Sequence, residues 1–184
     1  PTYSMRTLAY HEATPGHHHQ IAHSLENEDL TLYRRFGYFT SAFAEGWALY
    51  SEILALEAGL AEDPYDELGI LQSELFRAVR LVVDTGMHYK RWTREEAMKY
   101  MKTKTGMSDT EVRVEIERYI VWPGQALSYK VGMIKILELR EKAMSELGDK
   151  FNIKDFHSAV LDHGNPPLFI VEEMVNNMIR ENLN

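Results

Sequence analysis

Apolar residues recur along most of the chain at the three- to four-residue spacing of an α-helix, and no stretch alternates between apolar and polar residues as a half-buried strand does. The pattern therefore predicts an all-α fold of about eight helices. The predicted helical stretches are residues 3–13 with a continuation over 16–26, then 30–59, 63–92, 93–105, 108–122, 125–147, 153–162 and 168–182.

Several of these helices begin or end at residues that favour a start or a stop. Thr93–Glu96 and Ser108–Glu111 have the Thr/Ser-x-x-Glu pattern of a capping box, in which each side chain bonds the other residue's backbone N–H. Asp63-Pro64 places proline at a first helical position, where no backbone donor is needed. Gly59 predicts the end of the preceding helix, and Gly37 predicts an interruption within it.

The composition narrows the class of protein. Because ~100–200 residues is the usual domain size, a chain of 184 residues with 45% hydrophobic content predicts a single domain spanning 1–184. No run approaches the ~20 consecutive apolar residues of a membrane-spanning helix. A net charge of -8 argues against a nucleic-acid partner. The chain contains no cysteine, so any metal that it binds must take nitrogen and oxygen ligands.

The stretch Tyr10–Gln20 contains four of the eight histidines in the chain. In the usual one-helix zinc motif, His-Glu-x-x-His, a four-residue spacing puts both imidazoles on one helix face. Here Pro15-Gly16 begins four residues after His11, which disfavours an unbroken helix. If two residues loop out at that point, His17 takes the place of the second ligand. On an unbroken helix His18 would return to the face of His11, so His18 stays open as the alternative.

Glu12 directly follows the first of these histidines. Metallopeptidases keep at this position the carboxylate that takes a proton from metal-activated water, so Glu12 is the candidate general base. A histidine cluster also occurs as a solvated patch that binds metal adventitiously, and the stretch alone leaves that alternative open. An expression tag is excluded, because the cluster is internal and mixed in sequence.

A catalytic zinc site needs a third protein ligand, which in one large class is a glutamate on the next helix. Glu45 and Glu52 lie seven residues apart and share a helix face. Small residues flank Glu45, so a metal and a neighbouring helix can approach it, and Glu45 is the preferred ligand. Glu52 is then expected to hydrogen-bond a metal-binding histidine. Taken alone, each glutamate also fits a solvated helix surface.

Two further residues are candidates for stabilising an oxyanion. Arg80, Asp84 and His88 follow one another at four-residue steps, so either they form a surface ion-pair ladder or Asp84 orients His88 for catalysis. Tyr129 follows an aromatic turn at a helix start, where donors can meet an anionic group, and a place in the core fits it equally well. His88 and Tyr129 are therefore the candidate catalytic residues beside Glu12.

Four segments carry a more specific signal: His-Glu-Ala-Thr-Pro-Gly-His-His, Ala-Glu-Gly-Trp-Ala-Leu-Tyr-Ser-Glu, Val-Asp-Thr-Gly-Met-His and Trp-Pro-Gly-Gln-Ala-Leu-Ser-Tyr-Lys. In this order they resemble the C-terminal part of a bacterial family of unknown function, DUF885, whose members are described as lipoproteins or zinc peptidases. The resemblance covers essentially the whole chain. It implies a mostly helical, zincin-like enzyme in a periplasmic or lipoprotein-anchored location. It also implies that His11 and His17 are metal ligands, Glu12 the base and Glu45 the third ligand.

Together these observations predict a zinc-dependent hydrolase, most simply a peptidase in which metal-activated water attacks a peptide carbonyl. The same groups would serve an amide or ester hydrolase, and a non-catalytic helical metal-binding or scaffold domain is the competing interpretation. A di-iron bundle is disfavoured, since the chain contains no Glu-x-x-His pair. Because the motif lies close to Pro1, we expect the C-terminal portion of a longer protein, the remainder of which forms the other wall of the cleft.

Overall fold

Helices make up nearly all the regular structure of residues 2–37 and 39–183, the part of the chain that this computed structural model describes. Within these ranges there are nine α-helices and no strand, so the predicted all-α class is confirmed. None of these helices combines the length and the low polarity needed to cross a lipid bilayer. Tyr38, inside the stretch predicted as helix over 30–59, lies outside the described residues, as do Pro1 and Asn184. The helices are α1 (Ser4–Glu12), α2 (His17–Glu26), α3 (Ser41–Glu57), α4 (Pro64–His88), α5 (Arg94–Thr105), α6 (Asp109–Val121), α7 (Ser128–Leu147), α8 (Ile153–Leu161) and α9 (Leu168–Leu183).

Helix α3 is surrounded by other helices through its middle. Its buried residues, among them Phe43 and Trp47, point in several directions, as expected of a helix that is apolar around most of its circumference. It packs along α7, and Gly46 and Gly132 let the two backbones come into direct contact. A Cβ atom added at Gly132 would lie 1.9 Å from the carbonyl oxygen of Ala42. Helix α3 also contacts α1, α2 and α4, so it packs against each of the helices around the histidine motif.

Two hydrophobic clusters flank these elements. One joins α3, α7, α8 and α9 through residues such as Trp47, Phe156 and Val175. The other joins α4, α5 and α6 through residues such as Val83 and Ile116. Since α4 contacts α1, α3 and α7, side chains from both clusters' helices can meet beside the histidine motif.

Helix starts agree with the prediction where capping residues mark them. Thr93 with Glu96, and Ser108 with Glu111, form complete capping boxes at the starts of α5 and α6. The Asp63 carboxylate accepts hydrogen bonds from two backbone N–H groups in the first turn of α4. These local interactions involve residues that are close in sequence, so they can be read from the sequence directly.

Two further helix boundaries lie in the middle of the chain. The interruption predicted at Gly37 is present, because a π-helical turn over Tyr33–Gly37 precedes α3. Helix α4 ends at His88, although the pattern predicts an end at Trp92. The chain turns back at this point: the Trp92 backbone N–H donates to the Gly86 carbonyl at 2.9 Å, and the indole ring lies against that glycine.

We expect Gly132→Ala to destabilise the protein, although alanine is intrinsically the better helix former by ~1 kcal/mol. The new methyl group would lie 1.9 Å from the Ala42 carbonyl oxygen, so α3 and α7 would have to separate. Overpacking of this kind typically costs about 1–3 kcal/mol. Urea titration measures the free energy of unfolding. The control is Glu138→Ala at an exposed position of α7, which should change that free energy by no more than ~0.5 kcal/mol. Unchanged stability in Gly132→Ala would contradict the close approach.

Candidate metal centre

The histidine motif forms two helices joined by a short loop. Helix α1 ends at Glu12 and α2 begins at His17, so the chain breaks at the predicted Pro15-Gly16 position. This break is why the described residues form nine α-helices where the pattern predicts about eight. Two donors on α3 hold the loop: the Trp47 indole N–H and the Ser51 hydroxyl both donate to the Pro15 carbonyl, at 2.9 and 3.2 Å. The anchoring fixes the start of α2 relative to α1 and α3.

Gly16 allows the loop to fold directly over the last turn of α1. A Cβ atom at this position would lie 1.8 Å from the His11 carbonyl oxygen and 2.4 Å from that of Tyr10. No larger residue fits there without a backbone shift. As a result the first residue of α2 lies beside the last turn of α1, and the His11 and His17 ring centroids are 4.9 Å apart.

Three side chains that the sequence predicts as metal ligands converge at this point. His11, His17 and Glu45 each offer a ligand atom, and these atoms all lie within 4.8 Å of one another. The Glu45 Oε2 atom is 3.3 Å from His17 Nε2 and 3.8 Å from His11 Nε2. Two ligand atoms that are each about 2.1 Å from a tetrahedral zinc ion lie roughly 3.4 Å apart, so this spacing fits zinc with small adjustments. His18 is exposed and contributes no atom to the group.

Glu52 orients His11 from the side opposite this group. The carboxylate is 1% exposed, and its Oε1 atom lies 2.7 Å from His11 Nδ1. Because a carboxylate accepts hydrogen bonds, Nδ1 carries the proton and donates, which leaves the lone pair on Nε2 for a cation. Metal-binding histidines usually make such a bond, which sets both ring orientation and tautomer. The hydrogen bond that the sequence predicts between Glu52 and a histidine of the motif is therefore present.

The charged groups of the cluster shift each other's pKa. Burial alone would raise the pKa of Glu45, but hydrogen bonds from His11 and His17 outweigh burial and lower it to about 2. Burial alone would lower the pKa of His11, but its hydrogen bonds with Glu45 and Glu52 outweigh burial and the net shift is upward. The anionic carboxylates thus favour a positive charge between them. A divalent cation bound there would displace the proton from His11, since ligation requires neutral imidazole.

Tyr129 and two arginines of α4 line another side of the cluster. The Tyr129 ring stacks on the His11 ring, with centroids 6.3 Å apart and an interplanar angle of 19°. The guanidinium carbon of Arg80 lies 4.2 Å from the Tyr129 ring centroid, and that of Arg77 lies 5.7 Å from it. The Gln125 amide donates to the Tyr129 hydroxyl at 3.4 Å. Tyr129 is thus packed in the core and also adjacent to the predicted ligands.

The other two candidate catalytic residues have different surroundings. Glu12 is exposed at the end of α1, and its carboxylate forms no hydrogen bond or ion pair with the described residues. His88 Nε2 lies 2.9 Å from the Tyr119 carbonyl oxygen. The Asp84 carboxylate accepts a hydrogen bond from the Gly124 backbone N–H at 3.0 Å. Asp84 and His88 therefore each bond a partner from another part of the fold, and neither bonds the other.

Arg77 lies near this cluster, although the spacing of the histidine motif does not point to it. A different sequence pattern, on α4, indicates that this residue faces a polar site. Ile70, Ser73, Arg77, Arg80 and Asp84 recur at three- and four-residue steps, and three of them are buried on α4. Apolar residues are expected along such a row. Charged residues in these positions indicate that this side of α4 faces a polar site rather than a purely hydrophobic core.

Comparison with known proteins gives a family and two related structures. Residues 1–175 match the family described as bacterial protein of unknown function (DUF885). A structure described as a putative lipoprotein from Colwellia psychrerythraea is 54% identical, with a TM-score of 0.94 over 98% of this chain and 31% of that chain. Another, described as a putative lipoprotein of unknown function from Shewanella oneidensis, is 28% identical, with a TM-score of 0.86 over 94% of this chain and 31% of that chain.

This chain therefore spans 31% of the length of each of those two relatives. No curated protein is significantly similar to it. The family match covers nearly all of the sequence, and the fold agrees with that of both relatives. The chain belongs to the DUF885 family of bacterial proteins.

Proposed function

We propose that this chain carries the metal centre of a zinc-dependent hydrolase that acts on peptides. The observation that supports this best is the convergence of His11, His17 and Glu45, whose ligand atoms lie within 4.8 Å of one another. Two imidazoles and one glutamate are the protein ligands of a known class of catalytic zinc sites. The hydrogen bond from His11 to Glu52 supports the same interpretation, since a carboxylate commonly orients a zinc-binding histidine.

The number of ligands favours catalysis over a structural role. Structural zinc sites are closed by four protein ligands, whereas catalytic sites use three and leave one position for water or substrate. The group formed by the described residues contains three. Zinc bound in such a site supplies water of lowered pKa and a Lewis acid for a carbonyl oxygen.

Glu12 is the proposed general base. It lies next to His11 at the end of α1, and its exposed carboxylate is not engaged by another described residue. A carboxylate in this position can take the proton of the attacking water and pass it to the leaving amine. His11, His17 and Glu45 would hold the metal in place while Glu12 transfers the proton.

Tyr129 and His88 are the proposed oxyanion donors. Tyr129 stacks on His11, and the two arginines against its ring keep positive potential beside the carbonyl that would be attacked. His88 now bonds the Tyr119 carbonyl, and it would have to exchange that bond for one to the substrate. A positive environment of fixed groups stabilises negative charge as it develops in the transition state.

We also propose that residues 1–184 form one metal-binding domain and that a further part of the protein completes the substrate cleft. The chain spans 31% of each related structure, which leaves room in such proteins for an opposite wall. Because both relatives are described as putative lipoproteins, we propose a lipid-anchored, periplasmic location for this protein as well.

We expect one zinc ion per chain and a clear difference between neighbouring histidines. His17→Ala removes a proposed ligand and should lower zinc affinity by about 100-fold or more, beyond the effect of losing an orienting partner. His18→Ala is the matched control, because His18 is exposed and offers no ligand atom to the cluster. Zinc content is measured by elemental analysis and zinc affinity by chelator competition, on both variants and the parent protein without a His tag. Equal losses of zinc affinity in the two variants would indicate an adventitious histidine patch. A loss only in His18→Ala would make His18, and not His17, the second ligand.

Glu12→Gln distinguishes an enzyme from a metal-binding scaffold. Glutamine keeps the shape of the side chain and cannot take a proton, so peptide hydrolysis by the full-length protein should fall by ~10² or more. Zinc content and unfolding should stay the same, because Glu12 is exposed and is not a proposed ligand. Glu26→Gln, at an exposed position of α2, controls for the loss of one surface charge. A scaffold has no turnover to lose, and full turnover in Glu12→Gln would remove Glu12 from the mechanism.

Tyr129→Phe and His88→Ala test the two oxyanion donors separately. Phenylalanine keeps the ring stacked on His11 and removes only the hydroxyl. Loss of one oxyanion donor typically lowers kcat by ~10²–10³, and we expect that range for each variant, with unchanged zinc content. Steady-state kinetics and thermal unfolding should be measured on the same samples. Parent-like kcat with reduced stability in His88→Ala would restrict His88 to holding the Tyr119 carbonyl.

A further inference from the structure

A cavity of ≈ 250 Å³ opens beside His11 and Glu52, between α1 and α4. Leu8, Phe76 and Met107 contribute apolar walls, Arg77 contributes a cation and Glu111 contributes a carboxylate, which is bonded to Ser108. The volume is just below the roughly 300–1,000 Å³ of pockets that hold drug-sized ligands, so it suits the end of a peptide or a single side chain. His11 and Glu52 belong to the proposed zinc centre, and the zinc chemistry proposed above assigns no role to the other walls of the cavity.

Arg77 is held rigidly at the cavity wall. One of its terminal nitrogens, Nη1, donates to the Ser73 hydroxyl at 2.7 Å. The guanidinium carbon lies 5.2 Å from the Phe76 ring centroid and 5.7 Å from that of Tyr129. A side chain fixed in this way loses little further freedom when it binds a ligand.

Arg77 also lacks an anionic partner within the described ranges of the chain. No carboxylate oxygen there lies within the 4.0 Å limit of an ion pair, and the Nε atom is buried without a hydrogen bond. Arg80, one turn along α4, differs in this respect because Glu115 lies 3.8 Å away. Glu52 attracts Arg77 from beyond that distance; its Oε1 atom is engaged by His11, and its Oε2 atom is buried without a hydrogen bond. Arg77 is half-buried and forms no ion pair with the described residues, so it is available to pair with an anion from outside the chain.

Burial also leaves the positive charge of Arg77 poorly stabilised. It lowers the pKa of the guanidinium, and the charge of Arg80 lowers it as well, while Glu52, Tyr129 and Glu45 oppose this. The lowered pKa means that the surroundings stabilise the cation less well than water does. An anionic ligand would stabilise the guanidinium cation.

We propose that Arg77 binds a carboxylate of the substrate in this cavity, so that the enzyme selects peptides with a carboxylate close to the bond that is cut. The proposal rests on the hydrolase function proposed above. A guanidinium pairs with a carboxylate through two parallel hydrogen bonds, which fixes the orientation of the bound group.

The position of Tyr129 limits how far that carboxylate is from the cleaved bond. Its ring centroid lies 5.7 Å from the Arg77 guanidinium carbon and 6.3 Å from the His11 ring centroid, so that carbon and the His11 ring are at most about 12 Å apart. An extended peptide advances ~3.3–3.6 Å per residue, so the carboxylate belongs to a residue within about three positions of the bond. Either a C-terminal carboxylate or an acidic side chain meets this requirement.

Binding of small probes to the zinc-loaded full-length protein tests the proposal without turnover. The probes are N-acetyl-leucine and N-acetyl-leucinamide, which differ only in the carboxylate, and calorimetry gives the Kd of each. We expect the acid to bind about 10- to 100-fold more tightly than the amide, the range of charge-assisted hydrogen bonds. Equal binding of the two probes by the parent protein would overturn the proposal, whatever the variants do.

Two arginine variants assign the effect to one residue. Arg77→Gln should abolish the preference for the acid while zinc content stays unchanged, and Arg77→Lys should retain part of it. Arg140→Gln is the matched control, since Arg140 is also half-buried but pairs with Glu57 and lies outside this cavity. A preference for the acid that survives in Arg77→Gln would overturn the proposal.

Three matched peptides then identify the source of the carboxylate: one with a free C-terminus and no acidic residue, its C-terminal amide, and that amide with glutamate near the end. Cleavage of the first alone indicates a C-terminal carboxylate, and cleavage of the third without the first indicates an acidic side chain. Equal cleavage of all three would overturn the selectivity for a carboxylate. If no peptide is cut, the hydrolase function fails, and the probe binding still decides whether Arg77 is a carboxylate site.

Discussion

The carbonyl oxygen of Pro15 accepts hydrogen bonds from Trp47 and Ser51 of α3, and the position of the whole histidine motif depends on this contact. The same helix carries Glu45 and Glu52, one on each side of His11. Since α3 holds both the loop and the two carboxylates, a movement of this helix carries the loop and the acids together. The positions of the cluster residues therefore all depend on α3, even though these residues come from three helices.

The sequence predicts those features that depend on neighbours along the chain. The capping boxes, the stop at Gly59 and the break at Pro15-Gly16 all follow from the conformational preferences of a few adjacent residues. The convergence of His17 with Glu45 could also be anticipated, because the break supplies two extra residues and metal ligands are of few chemical types.

Partners from distant parts of the chain could not be predicted in this way. The four-residue spacing of Asp84 and His88 predicts that they share a helix face, but the Gly124 amide and the Tyr119 carbonyl compete for them in the folded protein. Helical periodicity specifies a direction from the helix axis, and it does not specify which element lies in that direction. Arg77 illustrates the same limit, since its neighbour Tyr129 belongs to α7.

The ring of Tyr129 lies beside His11 and beside two arginines of α4. Glu45 and Glu52 of α3 lie within ion-pair distance of His11, whereas Arg77 and Arg80 of α4 contact the Tyr129 ring. An aromatic face attracts a cation, so the ring helps to hold the two guanidinium groups in place.

The glycine contact between α3 and α7 determines how the centre would respond to change elsewhere in the protein. Glu45 directly precedes Gly46, and Tyr129 lies one turn before Gly132, so the carboxylate and the phenol are attached to backbones that touch. The separation of their main chains is set by contact between peptide groups, which cannot adopt other rotamers to absorb strain. Substitutions in the surrounding core should therefore lower the melting temperature before they alter the spacing of these two groups. A variant of this chain with a different core volume is therefore expected to keep the same arrangement of carboxylate and phenol, provided that both glycines remain.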